Sequence, residues 1–482
     1  MTTRKALAFS FLDRYSALVI AVASSAILAR LLTPAEIGIF SVTMVLLSYI
    51  GNLRDLGAGQ YLLQEKELTQ DRIRATWTVQ LGLGLLFSVV VLMAATPAAN
   101  FYAEPRMHDI MMVLAANFAI GPFGSLTYAW LMREMRFESL AMMRFASVLS
   151  GAITSVLLAW HGFGPISLAY GNLVTALVNA GMAAFFRPPS FPWIPGFREI
   201  RRVLSFGGRM TANTVINTFS NSAPEVLLGK LQGMAATGLY SRANGLASMF
   251  HRLVMDATLS VALPLFAKET RESGNARQSF ILATSYVTAI GWSFFLGVFF
   301  LASPAIRLLY GSQWDGAVEL TRLIALGMAA GIPAALCPTA LLASGRVTAS
   351  LKATIMVAVQ YVGFIAVGAV LGLHFVGYAF ILANLVSASI WLTVTQKEIG
   401  FDRRQLGRTL LHSAMAAVAA AMAPALVFFW LGATPDDRIL PLAIAVPGSI
   451  AIFVAAVIVC RHPLLRELQR VWPKLASVGQ GA

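Results

Sequence analysis

Three arginines, Arg14, Arg242 and Arg252, stand inside long apolar stretches, and Arg54 closes another. A guanidinium is planar and always charged, and its fork of donors matches phosphate oxygens in pairs. Arginines in a hydrated cavity inside a membrane therefore suit an anionic ligand. Asn213, Asn217 and Ser220 share a further span and offer amides and a hydroxyl to a hydrated cavity. Asp13, Glu225 and Asp256 are the acids placed to carry a coupling ion, H+ or Na+. Intramembrane charge costs about 2.5–3.5 kcal/mol on insertion scales, so such residues face protein or a water-filled cavity. They read as binding groups, and no catalytic set accompanies them. The sequence has no GxxxxGK[ST] loop, no HExxH and no Cys/His cluster, so it points to no ATPase, no metal and no cofactor beyond a coupling ion.

The elements that must position these residues follow from composition. Of the 482 residues, 57% are hydrophobic and only 12% charged, about half the charged share of a soluble domain. Apolar runs of roughly 20 residues recur along the chain, long enough as helices to cross a bilayer core. Fourteen such spans can be drawn, and no alternating segments of a β-barrel appear. The fold class is an all-α, polytopic membrane protein. The net charge of +14 does not mean nucleic acid. With both ends on one side, only Arg30, Arg106, Lys230, Arg307 and Arg438 of the 36 lysines and arginines fall in loops on the other. That bias is the positive-inside pattern, and it predicts cytoplasmic termini. Asp13 and Arg14 interrupt the first span and Arg30 follows it, so the span reads as uncleaved. Cys337 and Cys460 read as small buried residues, not as a disulfide.

The spans come as a repeat. Shifting GKLQGMAATGLY (229–240) by 200 residues places Lys230 on Arg30, Leu231 on Leu31, Gly238 on Gly38 and Tyr240 on Phe40. FYAEP (101–105) and LYGSQW (309–314) both follow the third span of a half, and Arg136 and Arg346 both follow the fourth. The expected organisation is a six-helix lobe over 1–186, a proline-bearing cytoplasmic linker over 187–206 and a second six-helix lobe over 207–400. Two additional helices and a cytoplasmic tail complete it over 401–482. Duplicated bundles place their cavity between halves, near mid-membrane.

On a regular helix Asp13 shares a face with Ser10, Ala17 and Ser24, and Asn213 with Asn217, Ser220 and Pro224, each within roughly 60°. The 200-residue shift matches the two polar faces. On the eighth span Arg242, Arg252 and Asp256 fall within about 80°, while His251 lies about 180° from Arg242 and reads as a helix–helix contact. Arg252 and Asp256 are i, i+4, so Arg252 is either half of an ion pair or a substrate contact. Glu319 and Arg322 read as a pair at an interface, Arg54 and Asp55 as a rim, and Glu225 as an ion carrier or a solvated span end.

ARLLTPAEIGIF (29–40) and DLGAGQYLLQE (55–65) resemble the start of bacterial polysaccharide-export flippases of the Wzx type. LMREMRFESLA (131–141), LGKLQGMAATGLYSRA (228–243) and LYGSQW (309–314) continue the likeness in order, up to about residue 400. The resemblance implies the multidrug/oligosaccharidyl-lipid/polysaccharide exporter superfamily, with two six-helix lobes in a V and alternating access. It implies transfer of undecaprenyl-diphosphate-linked oligosaccharides between leaflets of the bacterial inner membrane for exopolysaccharide, O-antigen or capsule. In the related lipid II flippases arginines on spans 1, 2 and 8 line a cationic cavity, and Arg14, Arg54 and Arg242 occupy comparable spans. Two added C-terminal helices there form a lipid-tail groove, and spans 13 and 14 answer to them. Expected partners are the lipid-linked oligosaccharide, membrane lipid, and a polysaccharide polymerase and chain-length regulator. Two rivals remain: a multidrug or cation exporter of the same fold, which calls for an acidic cavity, and a membrane glycosyltransferase or polymerase of lipid-linked sugars, which calls for a sizeable catalytic loop.

Overall fold

Thr33, Pro34 and Glu36 show how the chain starts a helix here. Glu36 Oε2 accepts from the Thr33 amide at 2.8 Å and from its hydroxyl at 2.9 Å, while Thr33 Oγ1 accepts from the Glu36 amide at 3.3 Å. This is a capping box, with proline at the first helical position where no N–H is needed.

The structure is a computed structural model. It describes the backbone of residues 3–55, 61–62, 65, 67–188, 191, 194–430, 439–460, 462–465 and 467. Side chains are described for the same residues except 3–15, 52–55, 202, 204–215 and 430. Fourteen long helices follow: α1 (Thr3–Leu31), α2 (Pro34–Asp55), α3 (Gln70–Tyr102), α4 (Arg106–Arg133), α5 (Phe137–Trp160), α6 (Ile166–Phe186) and α7 (Ile200–Leu231). Then come α8 (Met234–Ser273), α9 (Arg277–Leu309), α10 (Gly316–Ala343), α11 (Val347–Leu371), α12 (Leu373–Ile399), α13 (Arg403–Trp430) and α14 (Leu440–Val459). Among the described residues, twelve are long and apolar enough to cross a membrane; α1 and α7, the first helix of each repeat half, are the two outside that count. Large apolar side chains such as Val89, Met93, Val359 and Val459 are exposed, which in this class means lipid.

The chain divides into two compact units, Met1–Gly238 and Leu239–Ala482. In the first, α3 packs on α4, α4 on α6 and α5 on α6; in the second, α9 packs on α10, α10 on α12 and α11 on α12. The pairing recurs with a shift of six helices. The turns recur too. Arg136 N donates to Leu131 O at 2.9 Å and Met135 N to Met132 O at 3.1 Å; Arg346 N donates to Leu341 O at 2.8 Å and Gly345 N to Leu342 O at 3.0 Å. Met135 and Gly345 both take the left-handed conformation that such a helix end needs, at φ 53° and 73°.

Small residues let the helices approach, as they must where apolar burial drives little association. On α5, Ser147, Gly151 and Ser155 are buried, and α6 meets them with Ser167, Gly171 and Thr175. A Cβ on Gly151 would stand 2.7 Å from the Gly171 carbonyl, and one on Gly171 2.7 Å from the Gly151 carbonyl. The described residues between α6 and α7 pack against α3. Thr78 Oγ1 bridges the amide and carbonyl of Gly196 at 2.8 and 3.0 Å, Phe191 is buried, and the Arg187 guanidinium lies 5.4 Å from the Trp77 ring centre.

In the second unit α13 packs on α9, and α14 on both. His462, just past α14, closes this group. Its Nε2 lies 3.0 Å from Ser285 Oγ on α9 and 3.0 Å from Ser413 Oγ on α13, while Nδ1 accepts from the Leu464 amide at 3.1 Å. Burial, and secondarily the charge of His412, hold the imidazole neutral down to about 4. An unfolded histidine protonates near its ordinary value of about 6.5. The stabilisation is therefore complete above that value and is lost as pH falls toward about 4. Hydrogen exchange at residues 460–467 should rise at acid pH in the wild type, and His462→Phe should remove that rise. Equal protection at both ends of the range would mean that the imidazole does not hold the segment.

Candidate functional site

The expected site residues divide into those the structure describes and those it does not. Asp13 and Arg14 lie on α1, Arg54 on α2 and Asn213 on α7, and all four side chains fall outside the described residues. Asn217 is exposed on α7. Ser220 is buried and donates to its own helix, to the Ile216 carbonyl at 2.8 Å.

Glu225, on the same helix, is not at a solvated span end. It is 9% exposed, and among the described residues its Oε2 has no hydrogen-bond partner. Helices α2 and α3 cover it. Tyr49 of α2 lies beside Ser222 and Glu225, and the Tyr102 hydroxyl of α3 donates to the Val226 carbonyl at 3.4 Å. The α3–α7 contact continues at Lys230, whose Nζ donates to the Phe101 carbonyl and sits 4.3 Å from the Phe101 ring centre.

On α8 the regular-helix wheel fails. A π turn at His251–Met255 adds a residue to the local turn, so residues five apart come to one face. His251 Nε2 lies 3.6 Å from Asp256 Oδ1, which corrects the placement of His251 on the opposite side. Arg252 is exposed and folds back, donating to the Gly245 carbonyl at 3.2 Å and to Ser248 Oγ at 3.4 Å. Arg242 is half-buried between two aromatic faces, 5.3 Å from the Tyr310 ring centre and 5.6 Å from that of Trp314. Arg307, at the end of α9, pairs bidentately with Asp315 at 2.7 Å through both contacts and braces the hairpin carrying those rings. Glu319 and Arg322 do not pair with each other. Glu319 meets His374 Nδ1 at 3.1 Å, and Arg322 Nε donates to the Phe299 carbonyl at 3.2 Å. Helices α12 and α9 come closer to these groups than one turn of α10 does.

The second unit also holds an apolar cavity of about 410 Å³. It is bounded by Leu246 of α8, Ile290 and Phe294 of α9, Ala420 of α13, and Val446 and Ile450 of α14. Ser293 and Ser449 are its hydroxyl-bearing residues. A Cβ added at Gly297 meets nothing within 4 Å, so that glycine faces the open space. Such a lining suits a hydrocarbon chain.

A family profile described as polysaccharide biosynthesis protein matches residues 27–319, well over half of the chain. The chain belongs to this polysaccharide biosynthesis protein family. Among its relatives is the succinoglycan biosynthesis transport protein ExoT of Rhizobium meliloti (strain 1021), 26% identical over 92% of this chain and 90% of that one. Another is the lipopolysaccharide biosynthesis protein WzxC of Escherichia coli (strain K12), 22% identical over 92% and 91%. A solved structure of the lipid II flippase MurJ in an inward closed conformation superposes with a TM-score of 0.77 at 12% identity, over 97% of this chain and all of the other. An inward-facing multidrug resistance MATE family transporter of the MOP superfamily follows at 0.64 and 15%, over 83% and 99%. Both likenesses concern the fold alone, and they agree with the all-α membrane class of the helices described above.

Tyr49, Tyr102, Tyr310 and Trp314 join these groups without being among the residues expected from sequence. A signal existed for three of them, because Tyr102 belongs to FYAEP and Tyr310 and Trp314 to LYGSQW, the two matched motifs. Nothing in the sequence marked Tyr49, which acquires meaning only beside Glu225.

Proposed function

We propose that this family member is a flippase. It moves undecaprenyl-diphosphate-linked oligosaccharide repeat units across the bacterial inner membrane by alternating access, for exopolysaccharide, O-antigen or capsule. The observation that carries this is the likeness to a named succinoglycan transport protein over nine-tenths of both chains. The apolar cavity among α8, α9, α13 and α14 supports it as a place for part of the polyprenyl tail. In this proposal Arg14, Arg54, Arg242 and Arg252 attract the diphosphate, Asn213, Asn217 and Ser220 meet sugar, and Asp13, Glu225 and Asp256 serve coupling to H+ or Na+. Lobes over 1–186 and 207–400 enclose the head group, both termini are cytoplasmic, and a polymerase and chain-length regulator take the product.

Deleting the gene should leave lipid-linked repeat units on the inner leaflet and stop polysaccharide export. A drug-export defect with normal polysaccharide would favour the cation exporter, and failure to make or join the repeat units would favour a glycosyltransferase or polymerase. Gly297→Phe directs a ring toward the cavity from a position whose Cβ meets nothing within 4 Å. It should leave protein level unchanged and cut export at least about tenfold, a loss of ~1.4 kcal/mol in transport free energy. Wild-type export by this variant would remove the tail from the cavity.

A further inference from the structure

Glu225 follows Pro224 on α7, and it is a buried acid. It enters no ion pair among the described residues, and one carboxyl oxygen is left without a partner. Among the described residues the titratable group beside it on α2 is Tyr49. From α3 it is Tyr102, behind Tyr49 and bonded to the Val226 carbonyl. Among the described side chains of these helices the other charges are occupied or distant; those of Arg54, Asp55, Arg202 and Arg209 fall outside the described residues. Glu36 holds Thr33, Arg72 holds Glu65, Asp71 lies 3.8 Å from Arg198, and Lys230 holds the Phe101 carbonyl. Arg74 and Arg201 stand at the opposite ends of α3 and α7.

A carboxylate buried with an unsatisfied oxygen and no cation is strongly disfavoured, whereas a carboxylic acid is neutral and can donate a hydrogen bond. A hard metal cation asks for about six oxygens. Among the described residues no three acidic, histidine or cysteine side chains gather to supply them. A proton asks for one oxygen. We propose that Glu225 is a proton-binding site whose neutral form holds α7 against α2 and α3, and whose ionised form frees α7 from them. The site draws water when α7 leaves, so docking of α7 takes up one proton from solution and undocking returns it. This deepens the coupling role assigned to Glu225 above, but it concerns helix docking and needs no cargo.

The test is hydrogen exchange on the full-length protein in lipid nanodiscs, followed in peptides from 42–51 and 216–231 and corrected for intrinsic rates. Between about pH 5 and about pH 9 the wild type should lose at least tenfold in protection as pH rises. Glu225→Gln, neutral and of the same shape, should stay protected throughout. Flat protection in the wild type overturns the proposal, and so does Glu225→Gln with the wild-type pH profile. If Glu225→Gln does not fold, Tyr49→Phe, which keeps the carboxyl and the ring, should retain the pH-dependent loss, and a flat profile there overturns the proposal as well. Because exchange is read without substrate, an export failure elsewhere leaves this outcome intact.

Discussion

Gly38→Leu should abolish export and lower the apparent Tm, and Gly238→Leu should do the same. These glycines are the matched positions of the two repeat copies, and they meet. A Cβ on Gly38 would stand 1.8 Å from the Met234 carbonyl oxygen, and one on Gly238 1.9 Å from that of Pro34. Each glycine thus sits against the residue that answers, 200 positions away, to the one four before itself. The obstacle is backbone on both sides, so no side chain can rotate aside, and α2 must separate from the start of α8 by over about 1 Å. Overpacking typically costs about 1–3 kcal/mol, and an immovable neighbour puts this site at the upper end. Even alanine at either position should lower the Tm by several degrees and reduce export about tenfold. The double alanine variant should cost less than the two singles together, because both relieve the same contact. Thermal unfolding in detergent and export by complementation measure both effects. An unshifted melt with full export would show that the two helices do not touch here.

Arg242→Ala should lower export more than tenfold while the protein remains in the membrane. The guanidinium lies between Tyr310 and Trp314, and each such cation–π contact is worth about 0.5–1 kcal/mol when exposed and ~2 when desolvated. Loss of that clamp lowers stability modestly. The proposed loss of a diphosphate contact affects transport alone, so export should fall further than protein abundance does. Arg242→Lys keeps the charge but loses the planar fork and should give an intermediate rate. Trp314→Leu keeps the cation and removes one face, and should resemble the lysine variant more than the alanine one. Full export by Arg242→Ala at normal abundance would take this residue out of the site.

Comparing particular residues shows where sequence stops being informative. The match of Gly38 with Gly238 was visible as a spacing, but their contact depends on how α2 crosses the turn into α8. His251 was misplaced because a wheel at 100° per residue cannot represent the π turn at His251–Met255. Glu319 and Arg322 satisfied the i, i+3 rule and still chose partners on α12 and α9, since neighbouring helices approach closer than the next turn does. Glu225 reads from sequence as either an ion carrier or a solvated span end, and only its burial beside Tyr49 and Tyr102 excludes the second.

Hydropathy runs and duplicated motifs are local properties, and they alone were enough for an all-α membrane chain of about fourteen spans built from a repeat. Which polar groups are buried, paired or left unsatisfied was decided by tertiary structure. Burial and pairing depend on distances between helices remote in sequence, and no local period carries that information.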